Sequence, residues 1–196
     1  MKSTGEKSKA LNTGDNLSYR MITKSIKERI KEYFFLNPTA ELRVRHIEKK
    51  VQVPLPSAIR YAKELEKEDL LKSRVIAGVK LYSAYRGSRP FILEKTFFNI
   101  KQLHESGLIE FLRRKYGNPS IVVFGSYSTG DDIESSDIDL FLECSSKLGK
   151  TFDKFEKKLQ RNIHIFDHKT IKEIKNKHLI NNIMNGITLN GQVEVL

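Results

Sequence analysis

The apolar run Ser120-Ile121-Val122-Val123-Phe124 passes directly into Gly125-Ser126, and ten residues, Tyr127 to Ser136, separate that turn from Asp137-Ile138-Asp139-Leu140. Two buried β-strands joined through a short, turn-rich segment are the reading this pattern forces. Side chains alternate faces along a strand, so Asp137 and Asp139 share one side while Ile138 and Leu140 share the other. Two carboxylates about 7 Å apart along a strand repel unless a cation lies between them. Hard divalent cations such as Mg²⁺ take carboxylate oxygens together with substrate phosphates. The upstream Gly-Ser supplies a backbone that can be approached closely, with amides and a hydroxyl suited to phosphate oxygens. A phosphate turn followed by metal carboxylates is the order that phosphoryl or nucleotidyl transfer needs.

Phe124-Gly125-Ser126, the ten-residue spacing and Asp137-Ile138-Asp139-Leu140 resemble the nucleotidyltransferase superfamily that includes DNA polymerase beta, in particular its minimal members. The interior, Ser128-Thr129-Gly130-Asp131-Asp132, sits where that family has a small residue, Arg, Gly and acids; Thr129 replaces the Arg. The resemblance covers roughly residues 105–196. It implies that Asp137 and Asp139 hold Mg²⁺ (or Mn²⁺), and that Gly125, Ser126 and Tyr127 bind the nucleotide, an NTP. It also implies a third carboxylate on the next strand, facing the first two. Strand alternation puts His164, between Ile163 and Ile165, at that place; Asp167 falls on the opposite face unless the strand bulges. His164 is therefore the third candidate catalytic residue, as a base near neutral pH or a ligand for a softer metal. A His164/His168 pair site is the weaker reading of the same residues.

Charge divides the chain. Residues 1–117 hold 25 Lys+Arg and 13 Asp+Glu, a balance of +12, whereas residues 118–196 hold 10 and 11, a balance of −1. A basic first half on a near-neutral second half points to a polyanion, nucleic acid above all. With 39% hydrophobic residues and no apolar run near the ~20 residues of a membrane span, the composition fits a globular protein with no membrane partner. The polar start and the single cysteine, Cys144, make the cytoplasm the expected location.

The expected organisation is an α+β or α/β chain of two domains. Residues 1–20 read as a disordered tail. Residues 21–86 read as three helices (about 23–36, 44–51 and 57–70) and a hairpin around Ala77-Gly78. That order resembles a winged helix-turn-helix, which implies DNA as partner. Arg60, Lys63 and Lys67 share a face of the third helix, and Arg74 and Lys80 lie on the hairpin; these five are the candidate nucleic-acid contacts. Residues 87–117 form a helical linker with an apolar series Phe91, Leu93, Phe97, Phe98, Ile100 and Leu103. Residues 118–196 form a nucleotidyltransferase fold: a small mixed sheet with flanking helices, ending in a hairpin about Asn190-Gly191.

Two functions follow. In the first, a nucleoside monophosphate passes from an NTP to a hydroxyl on a partner protein, a small molecule or an RNA end. In the second, the chain is a DNA-binding regulator whose C-terminal half is catalytically weak and serves nucleotide sensing or dimerisation. Pairing into a homodimer is compatible with both.

Overall fold

A computed structural model describes residues 24–145 and 152–194; the expected tail at 1–20 lies outside them. Helix α1 (Ile26–Leu36) starts where Ser25 Oγ accepts from Glu28 N at 3.2 Å, and it ends at Asn37, ahead of Pro38. A two-residue strand β1 (Glu41–Leu42) leads into α2 (Val44–Val51) and then α3 (Leu55–Lys67), which carries Pro56 in its first turn. Strands β2 (Leu71–Ile76) and β3 (Val79–Ala84) meet through Ala77 and Gly78, both at positive φ (47° and 75°). Positive φ at both central residues is what a two-residue hairpin turn needs to match strand twist. The sheet order is β1-β3-β2, all antiparallel. Ile30, Phe34, Ile47, Ala58, Ala62, Leu65 and Tyr82 form the core between helices and sheet.

Helix α4 (Arg89–Ser106), capped by Ser88 and stopped by Gly107 at φ +83°, joins this unit to the second one. Its buried stripe is Phe91, Lys95, Asn99 and Leu103, a strict four-residue spacing. Leu93 and Phe97 are exposed, which corrects the apolar series read from sequence: those positions fall on the helix's outer side. Phe91 and Phe98 do pack on Phe35, with ring centroids 5.3 and 5.4 Å apart. Helix α5 (Leu108–Lys115) follows.

The second sheet has the order β6-β5-β4-β7 and is mixed. Strand β4 (Ser120–Phe124) pairs antiparallel with β5 (Ile138–Glu143) and with β7 (Ile187–Asn190), while β5 pairs parallel with β6 (Ile163–His168). Between these strands run α6 (Ser126–Thr129), α7 (Asp153–Leu159), a short 3₁₀ turn at Ile171–Glu173 and α8 (Lys177–Met184). Alternate residues feed two cores: Ile121, Val123, Ile138, Leu140 and Leu142 on one face, and Val122, Phe124 and Phe141 on the other. The expected hairpin at Asn190-Gly191 does not form among the described residues. Strand β7 pairs with β4 instead, and Asn190 Nδ2 donates to Pro119 O at 2.6 Å. Gly191 (φ +68°) lies so close to Ser120 that a Cβ there would sit 2.9 Å from its Cα.

Candidate active site

One row of the second sheet builds the site. Phe124 on β4 is the register partner of Asp139 on β5, which is in turn the partner of His164 on β6. The row lies where β4 ends and β5 and β6 begin, so Gly125, one residue past Phe124, sits directly above Asp139. Gly125 has φ +70° and ψ −158°, a region in practice reserved for glycine. A Cβ at this residue would lie 2.9 Å from Asp139 Oδ2. Both facts explain the glycine: the backbone bends through a conformation closed to other residues and leaves a carboxylate against its bare Cα.

Asp139 is half-buried, and burial holds its carboxyl above the ordinary value, with the neighbouring Asp137 adding to the rise and His164 opposing it. His164 Nδ1 is 3.6 Å from Asp139 Oδ1, and its ring centroid is 4.3 Å from that of Phe166. Asp137 stands just before β5, exposed, and accepts from Asn162 Nδ2 at 3.1 Å. The structure thus brings Asp137, Asp139, His164, Gly125 and Ser126 to one end of the sheet. Asp167 pairs with Leu142 in unbroken register, which keeps it on the other face. His168 shares a face with His164, but four strand residues put them about 13 Å apart, so no His pair forms.

Tyr127 requires a correction. Its side chain is buried in the core with Leu103, Leu112 and Val123, and burial pushes its phenol well up. Only its backbone remains near the turn, and its carbonyl accepts from Asn99 Nδ2 at 2.9 Å. Thr129, at the place of the family's Arg, bonds within its own loop, Oγ1 to Asp131 Oδ2 at 2.9 Å.

Behind the site is a buried network that sequence reading missed. Lys95 and Asp132 are 0% and 1% exposed, with Lys95 Nζ 2.8 Å from Asp132 Oδ1. Asn99 Nδ2 donates to the same oxygen at 2.7 Å, and Arg161 Nη2 lies 3.8 Å from Asp132 Oδ2. Lys95 also donates to the Asp132 carbonyl. Burial pulls the Lys95 ammonium below its ordinary value, while Asp132 works to keep it charged. The signal was available: a Lys and an Asn interrupt the α4 stripe that runs from Phe91 to Leu103. From the first domain, Thr39 N and Oγ1 donate to the Glu134 carboxylate at 3.1 and 3.0 Å, and Arg161 Nη2 donates to Leu36 O at 3.1 Å. The segment between Gly125 and Asp137 is therefore held from behind and from the side.

Among the described residues no three His, Cys, Asp or Glu side chains converge tightly enough to enclose a metal unaided. Two carboxylates at the open end of a sheet fit a hard divalent cation whose other ligands come from substrate phosphates and water.

The five candidate nucleic-acid contacts separate into two groups. Arg74 forks onto Glu41, both bonds 2.5 Å; Lys80 Nζ is 2.8 Å from Glu66; and Arg60 lies over the Tyr61 ring (4.3 Å), with its Nε 3.8 Å from Glu64. Lys63 and Lys67 are exposed and form no ion pair among the described residues. No helix of the described residues is long and apolar enough to cross a membrane.

Neither the curated proteins nor the solved structures contain a match to this chain. Residues 105–190, which run from the end of α4 through β7 and include every residue of the row just described, match the family model of the nucleotidyltransferase domain.

Proposed function

We propose that the row Phe124, Asp139, His164 and the Gly125-Ser126 turn above it form an Mg²⁺- or Mn²⁺-dependent nucleotidyltransferase site. The observation that carries the reading is the Gly125–Asp139 contact. A glycine in a glycine-only conformation, set against a carboxylate that burial disfavours as an anion, is costly for folding and useful for holding phosphate beside a cation. Gly125, Ser126 and the amide of Tyr127 hold the terminal phosphates of an NTP. Asp137 and Asp139 hold the cation together with those phosphates. When bound, the cation offsets the negative charge that builds on the phosphorus oxygens and on pyrophosphate.

The acceptor hydroxyl oxygen forms a bond to the α-phosphorus, the bond from that phosphorus to the bridging oxygen breaks, and pyrophosphate leaves. The acceptor proton passes to the Asp139–His164 pair, whose atoms lie 3.6 Å apart. Residues 21–86, with three helices and a hairpin among those described, act as a winged helix-turn-helix-type unit that binds DNA. Incubation with α-labelled ATP, GTP, CTP and UTP and either cation tests the transfer. Labelled product that disappears in Asp137→Asn/Asp139→Asn is expected; no product with any of the four counts against it.

A second reading draws on the imidazole that stands where related active sites have an acid. In that reading the site binds nucleotide and cation but turns over poorly, and the chain is a DNA-binding regulator that senses the nucleotide. Nucleotide binding without transfer, together with DNA affinity altered by NTP, would favour it.

A further inference from the structure

A basic cavity on the first domain shares only Lys80 with the residues discussed above. It has a volume of about 410 Å³ and is lined by Arg43, Val44, Arg45, His46, Glu48, Lys49 and Lys80. Helix α2 buries Ile47 and Val51 and turns Arg45, His46, Lys49 and Lys50 outward; Arg43 caps its start. Arg43, Arg45, Lys49 and Lys80 line the cavity with one carboxylate, Glu48, and of these Lys80 is already held by Glu66. Among the described residues Arg43, Arg45, Lys49 and Lys50 form no ion pair, whereas three of the five cations nominated on α3 and the hairpin are held by Glu64, Glu41 and Glu66. Among the described residues the Arg43 guanidinium meets His46, Nη2 to Nε2 at 3.3 Å.

Unpaired, exposed cations that keep their hydration are what counterion exchange with a polyanion uses. Carboxylates already at 2.5–2.8 Å from Arg74 and Lys80 compete with any incoming phosphate. Arg45 and Lys49 are one helical turn apart, a rise of about 6 Å. That rise is close to two nucleotide steps of one strand, about 6.8 Å at about 3.4 Å per nucleotide. Arg43 adds a guanidinium fork, the geometry that grips phosphate oxygens.

We infer that the α2 cavity, with Arg43, Arg45 and Lys49 at its centre, is the main seat for the phosphate backbone of duplex DNA, and that the exposed face of α3 contributes less. The inference rests on the reading of the first domain as DNA-binding, and it relocates the principal contact.

Fluorescence anisotropy with a labelled duplex of mixed sequence, titrated from low to moderate salt, tests it on the full chain. Arg45→Ala/Lys49→Ala is compared with Lys63→Ala/Lys67→Ala, which removes the same charge from α3. The α2 double variant is expected to lose about tenfold in affinity and to flatten the log K against log salt slope by about 2, with an unchanged Tm. The α3 double variant is expected to lose less on both measures. An equal or greater loss in the α3 variant overturns the inference while leaving DNA binding intact. Absence of any binding by the unmodified chain at low salt overturns the DNA-binding reading itself.

Discussion

Asp132 and Asp139 lie seven residues apart in one loop-and-strand segment, yet their surroundings are opposite. Asp132 is sealed from water with Lys95, Asn99 and Arg161 around it, so its charge is matched inside the protein. Asp139 is half open, with a second carboxylate nearby and, among the described residues, only an imidazole at 3.6 Å. The first is a carboxylate whose partners are supplied by the fold. The second is left short of positive charge, which a cation and its substrate would complete. A segment pinned firmly at one acid can present the other without moving, and on the proposed function that division separates structure from chemistry in this half of the chain.

The largest expected effect breaks the matched side. Lys95→Met leaves the buried Asp132 carboxylate with Asn99 and the more distant Arg161, and should cost about 3–5 kcal/mol in chemical denaturation. Lys95→Met/Asp132→Leu should recover only part of that, because the buried Arg161 then loses the carboxylate it faces. Asp139→Asn should do the reverse: transfer activity falls about 100-fold or more, while the Tm holds or rises, since burial already disfavours the anion. A large loss of stability in Asp139→Asn would erase the contrast. Gly125→Ala should affect both, with about 1–3 kcal/mol of backbone strain and weaker nucleotide binding as the new methyl displaces the Asp139 carboxylate. Paired denaturation and binding measurements separate the two.

His164→Asp sharpens the comparison from the other side. Adding a carboxylate beside Asp139 should tighten Mn²⁺ binding about tenfold, as ligand charge governs affinity at such sites; unchanged binding would show that position 164 does not face the cation. The smallest effect is at Glu134. Burial acts to raise its carboxyl, but bonds from its own amide and from Thr39 N and Oγ1 outweigh this and hold it below the ordinary value. Its contribution is therefore complete above the ordinary carboxyl range and is lost as pH falls through the lowered pKa. The stability difference between the unmodified chain and Glu134→Gln should be under about 1 kcal/mol at neutral pH and should vanish in acid.

The parts of the fold legible in sequence are those where chemistry or turn geometry restricts residue type. Gly125, Asp137 and Asp139 stand out because few other residues satisfy that backbone and that charge at that spacing. Ala77-Gly78 marks its hairpin because positive φ is needed there. Lys95 and Asn99 were missed because a helix face was read by counting apolar residues; the buried stripe contains both, and Phe97 is outside it. Asn190-Gly191 misled because a local turn signal gave way to a long-range pairing with β4, whose partner residues lie some seventy positions away. Ion pairs such as Arg74–Glu41 are likewise long-range, so a basic residue's availability to DNA was not legible from its own neighbours.

Calorimetric titration of an NTP with Mn²⁺ into the unmodified chain and into Asp137→Asn/Asp139→Asn bears most directly on the Gly125–Asp139 site. Binding that needs the metal and is abolished in the double variant is the predicted result. Equal binding by the two proteins, or none by either, would contradict the assignment of these carboxylates to a cation and a triphosphate.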